Sequence, residues 1–379
     1  MFYSIYCDGE LIYNPRVLSD SLVLRDVKLK MEVNSAGSLA FKIDKFHPMA
    51  SYIFPFRSVI DVYRDDVCIW RGRVLEDKID FNGASNKKCE GALAFLNDIM
   101  YPAADGAYGH VDDWIHSILT RYNTYAATPR KIYEGVINVS PNVEENRISI
   151  KGHDYTSCWD IMKEVLDKSG GYGRIRIAQD GKAYFDFDYQ LPELETKDVR
   201  FGVNLLDLKK ELHIEEFANA IVPLGALKQN AANDYDRVDI SSFSDGQIGN
   251  SGYVKDGVYV VDQDSVNIFG RFETSVVFDG FTETDIDTLV YMGCNYLELS
   301  AEQTMQIDAS FIDMNYIDPT YNPVNIFDAV RIFSIPHDYT SGDTIPLLGF
   351  EIDLNKPTNN KYTISKTRSM TMIDYILKR

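Results

Sequence analysis

With 379 residues, 45% apolar and 25% charged, the chain can form roughly two to four globular domains of ordinary size. Fifty-seven acidic residues against 38 basic ones leave a formal charge of −19, and no Lys/Arg run exceeds two residues, which argues against nucleic-acid binding. Twenty-four Tyr and 20 Phe favour β structure and large contact surfaces.

The amino terminus, Met1-Phe2-Tyr3-Ser4-Ile5-Tyr6-Cys7-Asp8, lacks a basic start and does not read as a signal peptide. No apolar run approaches the ~18 residues of a membrane span, which predicts a soluble chain. Ser4–Cys7 and Leu11–Tyr13 flank Asp8-Gly9-Glu10, an Asp-Gly hairpin. From Val23 to Val33 the residues alternate. Val23, Arg25, Val27, Leu29, Met31 and Val33 share one face, opposite Leu24, Asp26, Lys28, Lys30 and Glu32, as in a half-buried strand. Ser38–Ile43 is a further strand, ended by Phe46-His47-Pro48. Val59–Tyr63 and Cys68–Trp70 are β-branched and aromatic runs around an Arg64-Asp65-Asp66 turn. Arg71–Leu75 continues the second run past Gly72, where a bulge or a close backbone approach is expected. Asn82-Gly83 is another turn. Ala92, Phe95, Leu96 and Ile99 then fall on one helical face.

After Val111 the pattern turns helical. Asp112 and Asp113 precede Trp114, Ile115, Ile118, Leu119 and Tyr122, an amphipathic helix with acid in its first turn. Thr156 or Ser157 caps a second helix through Cys158, Ile161, Met162, Val165 and Leu166, stopped by Gly170-Gly171. Ile175–Ile177 and Ala183–Tyr189 form a hairpin around Asp180-Gly181, and 190–197 reads as a linker. The β character returns at Phe201. Ser241–Gly252 is a polar loop, and Tyr253–Val260 is a hairpin at Asp256-Gly257. Thr284 is placed to cap a helix through Ile286, Leu289, Val290, Gly293 and Leu297, with Asp287 where a capping box has Glu. Met305–Phe311 begins a final β region. There Asp328–Phe333 echoes Ile60–Tyr63, and Leu347–Asp353 echoes Arg71–Asp77.

Catalytic and metal-binding signatures are absent. Cys7, Cys68, Cys89, Cys158 and Cys294 are odd in number and form no C-x-x-C pair, which suits a reducing compartment. His47, His110, His116, His153, His213 and His337 are scattered, with no H-E-x-x-H, and His213-Ile214-Glu215-Glu216 lacks a second histidine. Cys158, five residues after His153, starts a helix where a thiolate is favoured, yet it lies on the apolar face and reads as core. Asp186 and Asp188 share a strand face. A glycosidase pair would need burial in a cleft, and a solvated face is the plainer reading. Asp262-Gln263-Asp264 lacks the glycine and terminal glutamate of a calcium loop. Gly170-Gly171-Tyr172-Gly173 follows a helix instead of opening one, so it is no phosphate cradle. Gly249-Asn250-Ser251-Gly252 lacks the spacing of a nucleophile elbow. No catalytic, cofactor-binding or metal-binding residue is assigned, and no enzyme is expected.

Six stretches carry a resemblance. They are Asn34-Ser35-Ala36-Gly37-Ser38-Leu39-Ala40-Phe41, His47-Pro48, Arg71-Gly72-Arg73-Val74, Cys89 to Asp98, Phe201 to Leu208, and Asn219 to Ala226. In this order they resemble the N-terminal structural region of tail-hub proteins of long-tailed, non-contractile phages. That family includes tail-associated lysins, prophage tail endopeptidases and phage minor structural proteins, and is similar to the baseplate hub protein of contractile-tailed phages. The resemblance implies a mainly β fold with α+β insertions: two related β-barrel tube domains plus two smaller inserted α/β domains. The expected boundaries are 1–108 for the first barrel, 109–200 for an α/β insertion, 201–240 with 300–379 for the second barrel, and 241–299 for the second insertion. Such proteins form homotrimers, so three chains would give a six-barrel ring closing the tail tube at the virion tail tip, assembled in the bacterial host cytoplasm. The implied partners are the distal tail protein, the tape-measure protein, and DNA passing through the lumen without specific binding, with no cofactor and no membrane span. The net charge fits an acidic lumen wall, and equally fits solubility alone. Relatives often continue into a peptidase or a fibre. This sequence ends at Ile376-Leu377-Lys378-Arg379, so activity is not carried over. A carbohydrate- or receptor-binding tail module, with tyrosines as an exposed stacking platform, is the competing reading.

Overall fold

The computed structural model describes residues 1–17, 22–102, 104–141, 146–152, 155–191, 195–213, 218–229, 234–249, 252–278, 281–301, 304–337, 344–356 and 359–365. Asp8 and Gly9 take left-handed φ angles of 51° and 89°, as a two-residue hairpin requires, and join β1 (Tyr3–Cys7) to β2 (Glu10–Tyr13). Next come β3 (Leu24–Glu32), β4 (Ser38–Ile43), β5 (Val59–Arg64), β6 (Val67–Ile79) and β7 (Ser85–Gly91). The alternation expected for β3 holds from Val27 onward but is out of phase before it, since Leu24 is buried and Arg25 exposed. The cause is Asp26, whose φ of 53° makes a bulge against β4 and shifts the side-chain period by one. Gly72 meets the close approach expected there, because a Cβ would stand 2.2 Å from the Trp70 ring and 2.3 Å from the Glu90 carbonyl oxygen. The helical face after Gly91 forms as a 3-10 helix, Ala92–Asp98, in which Leu93 and Ala94 are buried along with Ala92, Phe95 and Leu96.

Six later strands join the same sheet: β8 (Thr196–Arg200), β9 (Leu205–His213), β10 (Thr304–Phe311), β11 (Ala329–Phe333), β12 (Thr344–Asp353) and β13 (Lys361–Ser365). Among the described residues the order is β9-β10-β13-β12-β3-β4-β7-β6-β5-β1-β2, with β11 also on β12 and β8 on β11. One pattern therefore occurs twice. β3-β4-β7-β6-β5 and β9-β10-β13-β12-β11 have the same neighbours in the same chain order. The echo noted in the sequence falls on β5 with β11 and on β6 with β12. Bulges at Val74/Glu76 and Leu347/Gly349 align Leu347 with Val74, three residues from the match that residue types alone propose.

Between the two repeats lies an α/β layer. α1 (Val111–Tyr125) and α2 (Cys158–Ser169) appear where the periodicity places them. Ser157 Oγ accepts from the Asp160 N–H at 3.0 Å, and Gly170 ends α2 at φ 61°. The helices bury Trp114, Ile115, Ile118, Met162, Val165 and Leu166 in one core with Phe185 and Phe187. Each fully buried aliphatic or Phe side chain there stabilises by about 1.5–3 kcal/mol. The two phenylalanines lie on the strand Ala183–Asp188, which pairs parallel with Ile132–Asn138 and antiparallel with Tyr172–Ile177.

The chain divides into two units, Met1–Glu211 with the residues from Gln306, and Leu212–Met305. In the second unit Ala220–Leu224 lies between Tyr259–Asp262 and Glu273–Val277, and the Asp256-Gly257 hairpin is present. α3 (Gln263–Phe269) is capped by Asp262, whose carboxylate accepts from the Ser265 N–H at 2.9 Å. α4 (Ile286–Ala301) starts one residue later than expected. The Asp285 carbonyl accepts from Leu289, and its carboxylate accepts from the Thr282 N–H and hydroxyl. Asp285 thus stands just before the helix, where Thr284 was expected, with its carboxylate bonded back to Thr282.

Candidate functional site

Among the described residues, several candidates for chemistry have structural partners. Cys158 is fully buried at the start of α2, and burial pushes its thiol up to about 11. His153 and Ser251 lie outside the described residues. His47 is buried, with Nδ1 accepting from the Met49 N–H and Nε2 donating to the Ile12 carbonyl, and burial lowers its pKa. His116 is exposed and paired with Glu134. Asp262 is a helix cap. Among the described residues no group of three His, Cys, Asp or Glu is placed to hold a metal.

Asp186 departs from the solvated face expected of it. It is only 2% exposed, because the parallel strand Ile132–Asn138 covers it. Its carboxylate accepts from the Val136 N–H at 2.9 Å and from both Arg176 Nε and Nη2. Gly135 makes room, since a Cβ there would meet Asp186 Oδ1 at 2.1 Å. Asp188 bonds Asn138 Nδ2 and stands 3.5 Å from Arg174. All these acceptor sites are taken by fixed partners, so the pair holds strands together.

Sequence reasoning missed three buried cations among the described residues, Arg73, Lys87 and Lys255, the last bonded to Asp245 and the Phe243 carbonyl. The Arg73 side chain, 4% exposed, bonds Glu90 through Nε and Asp98 through Nη1 and Nη2, and it stacks between the Phe56 and Phe95 rings. Lys87 Nζ bonds Asp77 and the Ile53 carbonyl. For Arg73 and Lys87 the available signal was the charge pattern of β6 against β7, which sets Arg73 beside Glu90 and Asp77 beside Lys87.

The thiols make the same point. Burial raises Cys7 and Cys68 to about 12 and pushes Cys89 higher still. Cys7, Cys68, Cys89 and Cys158 should therefore stay unmodified by a thiol-reactive disulfide reagent at pH 8 until the protein is denatured. Rapid labelling of any one of them in the native protein would contradict this packing.

What the surface offers is contact. Phe46, Tyr52, Phe54, Phe56, Ile79 and Phe81 are exposed on the loop before β5 and at the β6–β7 end. That loop is held to the sheet by the Phe56 N–H on the Val74 carbonyl and by Lys87 on Ile53. Four of the six are Phe; of the tyrosines, Tyr3, Tyr13, Tyr122, Tyr172 and Tyr362 are core residues, while Tyr52, Tyr125, Tyr155, Tyr235, Tyr291 and Tyr321 are exposed. Glu76–Ile79 of β6 pair with β7 on one side and, among the described residues, with no strand on the other. β9 ends the strand order. A cavity of about 400 Å³ lined by Lys197, Asp198, Asp313 and Arg331 has its cations engaged, Arg331 with Asp198 and Lys197 with Glu195. Among the described residues no helix is long and apolar enough to cross a membrane.

No protein-family model matches the chain, and no curated protein does. Solved structures do. A tail protein from Neisseria meningitidis is 12% identical over 99% of this chain and 99% of its own, with a TM-score of 0.58. The 43 kDa tail protein of a Shewanella oneidensis prophage is 10% identical over 98% and 100%, with a TM-score of 0.57. A prophage tail protein of Listeria monocytogenes is 11% identical over 100% and 99%, with a TM-score of 0.53. End to end, the chain has the fold of these tail proteins.

Proposed function

We propose that this chain is a structural, non-enzymatic protein of a phage or prophage tail, a hub subunit that forms a trimeric ring at the tail tip. The observation that carries the reading is the five-strand order that occurs twice in one sheet. Two related units per chain let three chains present six similar surfaces, which matches a sixfold tube to a threefold tip. In this reading the two repeats are the cores of the tube domains, and the α/β layer and the Leu212–Met305 unit are insertions. The second insertion is then wider than the expected 241–299 and takes in residues 212–240, which the sequence reading places in the second barrel. The ring would seat under the distal tail protein and enclose the tape-measure protein, with DNA passing without specific contacts. Its place is the virion tail tip, after assembly in the host cytoplasm. Likeness to solved tail proteins over nearly the whole chain supports the role, and the exposed aromatic loop suits protein contact.

Light scattering of the full chain, alone and with the distal tail protein of the same genome, tests the ring. A particle of three times the 43.1 kDa chain mass is expected in at least one condition. A persistent monomer that ignores that partner would overturn it.

A further inference from the structure

One junction is made inside the chain and left half-made at both of its outer edges. β12 and β6 are matched by two independent marks. Each is bulged against its neighbour, and just before the bulge each accepts an N–H from a left-handed phenylalanine. Phe327 (φ 74°) donates to the Leu347 carbonyl at 3.0 Å, and Phe56 (φ 58°) to Val74 at 2.8 Å. Gly349 thus corresponds to Glu76, Glu351 to Lys78 and Asp353 to Asp80. Past the bulge, Gly349–Asp353 pairs antiparallel with Glu32–Lys28 of β3. Past the bulge in β6, no described strand occupies that side. The strand equivalent to β3 is β9, the other open edge. The two are nine residues each, Leu-Arg-Asp-Val-Lys-Leu-Lys-Met-Glu against Leu-Leu-Asp-Leu-Lys-Lys-Glu-Leu-His, sharing Leu, Asp and Lys at the first, third and fifth positions.

We propose that β9 of one copy pairs antiparallel with the Glu76–Ile79 edge of β6 in a second copy, in the register β3 adopts on β12. This inference rests on the ring reading and names its interface. Charge supports the partner and the register. Inside the chain Glu351 faces Lys30 and Asp353 faces Lys28, with Lys28 Nζ 3.7 Å from Glu351. Transposed, Lys78, now paired with Glu76 at 2.8 Å, stands opposite Glu211, and Asp80, the turn residue after β6 that holds Lys42 at 2.7 Å, stands opposite Lys209. The first pair is reversed in sign, and both stay attractive. A slip of two residues in one direction sets Lys78 against Lys209, Asp80 against Asp207 and Glu76 against Glu211. The opposite slip sets Asp80 against Glu211. Like charges directly opposite each other are destabilising, so one register is selected. Ile79, 71% exposed on this edge, would be covered, as an open apolar edge requires. Six strands separate β9 from β6 in the sheet of one chain, so the pairing is head to tail between copies.

The test is a full chain carrying both Lys78→Cys and Glu211→Cys, oxidised at low concentration and run on a non-reducing gel beside each single variant. Covalent dimers and trimers are expected from the double variant alone. Separately, Lys78→Glu should weaken association about tenfold or more, and adding Glu211→Lys should restore it. A native-mass trimer with neither cross-link nor charge effect would overturn this pairing and leave the ring standing. A cross-linked ladder running past three would support the pairing and overturn closure at three. No assembly under any condition, with or without the distal tail protein, would overturn both.

Discussion

Arg73→Ala is expected to destabilise the protein by about 3–5 kcal/mol, because it leaves two carboxylates facing a site built for a cation. Arg73 is 4% exposed, and its guanidinium is shared between Glu90 at 2.7 Å and the two oxygens of Asp98. Burial alone would lower its pKa, yet hydrogen bonds to Asp98 and Glu90 outweigh that and hold it above the ordinary value. The bonds tie β6 to β7 and to the end of the 3-10 helix, so their loss loosens three elements at once. Arg73→Lys should recover only part of the loss, since an ammonium cannot offer the planar fork that engages both acids. Arg73→Met combined with Glu90→Gln and Asp98→Asn should recover more than Arg73→Ala, because no carboxylate is left facing the buried site; the part-exposed Arg130 loses its 3.5 Å contact with Asp98 to solvent. Calorimetry of the full chain reads all three variants. A melting temperature for Arg73→Ala within about 2 °C of the parent would show that the network contributes little.

Gly91→Ala is the second large effect, with an expected cost of about 3 kcal/mol or more, above the usual range for one added methyl in a packed core. A Cβ at Gly91 would stand 1.7 Å from the Ala36 carbonyl oxygen and 2.9 Å from Trp70 Nε1. The obstructing atom is backbone, in the turn between β3 and β4, and the Gly91 N–H already bonds the Gly37 carbonyl at 3.2 Å. Neither side can give without breaking that bond. Gly9→Ala is the matched control. Its Cβ would meet nothing within 4 Å, so its cost is confined to the left-handed φ, about 1–2 kcal/mol. Soluble yield and melting temperature separate the two. Equal behaviour of both variants would mean that the β7 end relaxes freely.

Local chemistry was readable in the sequence, and long-range pairing was not. Asp8-Gly9, Asp180-Gly181 and Asp256-Gly257 each form the hairpin they announce, and Ser157 with Gly170 brackets α2, because turn and cap geometry depends on a few adjacent residues. Errors arose where one backbone angle outvoted a pattern. Asp26 at φ 53° puts the first residues of β3 out of phase, and α4 begins after Asp285 instead of Thr284. Asp186 read as solvated because its cover is a strand fifty residues earlier. The open edges of β6 and β9 are properties of a strand order that only the whole chain defines. Sequence could show that β3 and β9 are alike, but not that one is paired to β12 and the other ends the sheet.

The pairing of β3 with β12 also sets a timetable. Tyr13 at the β2 edge bonds the Leu354 carbonyl across 341 residues. At about 5–20 residues per second of synthesis, the first repeat, complete at Gly91, waits roughly 13–52 s before Asp353 ends its partner strand. During that interval β3 is a bare edge on a growing chain, beside other chains with the same bare edge. Lys28 and Lys30 and the kink at Asp26 are the features that discourage such edges from joining. Those two lysines guard the half-made sheet during translation, well before Glu351 arrives to meet them.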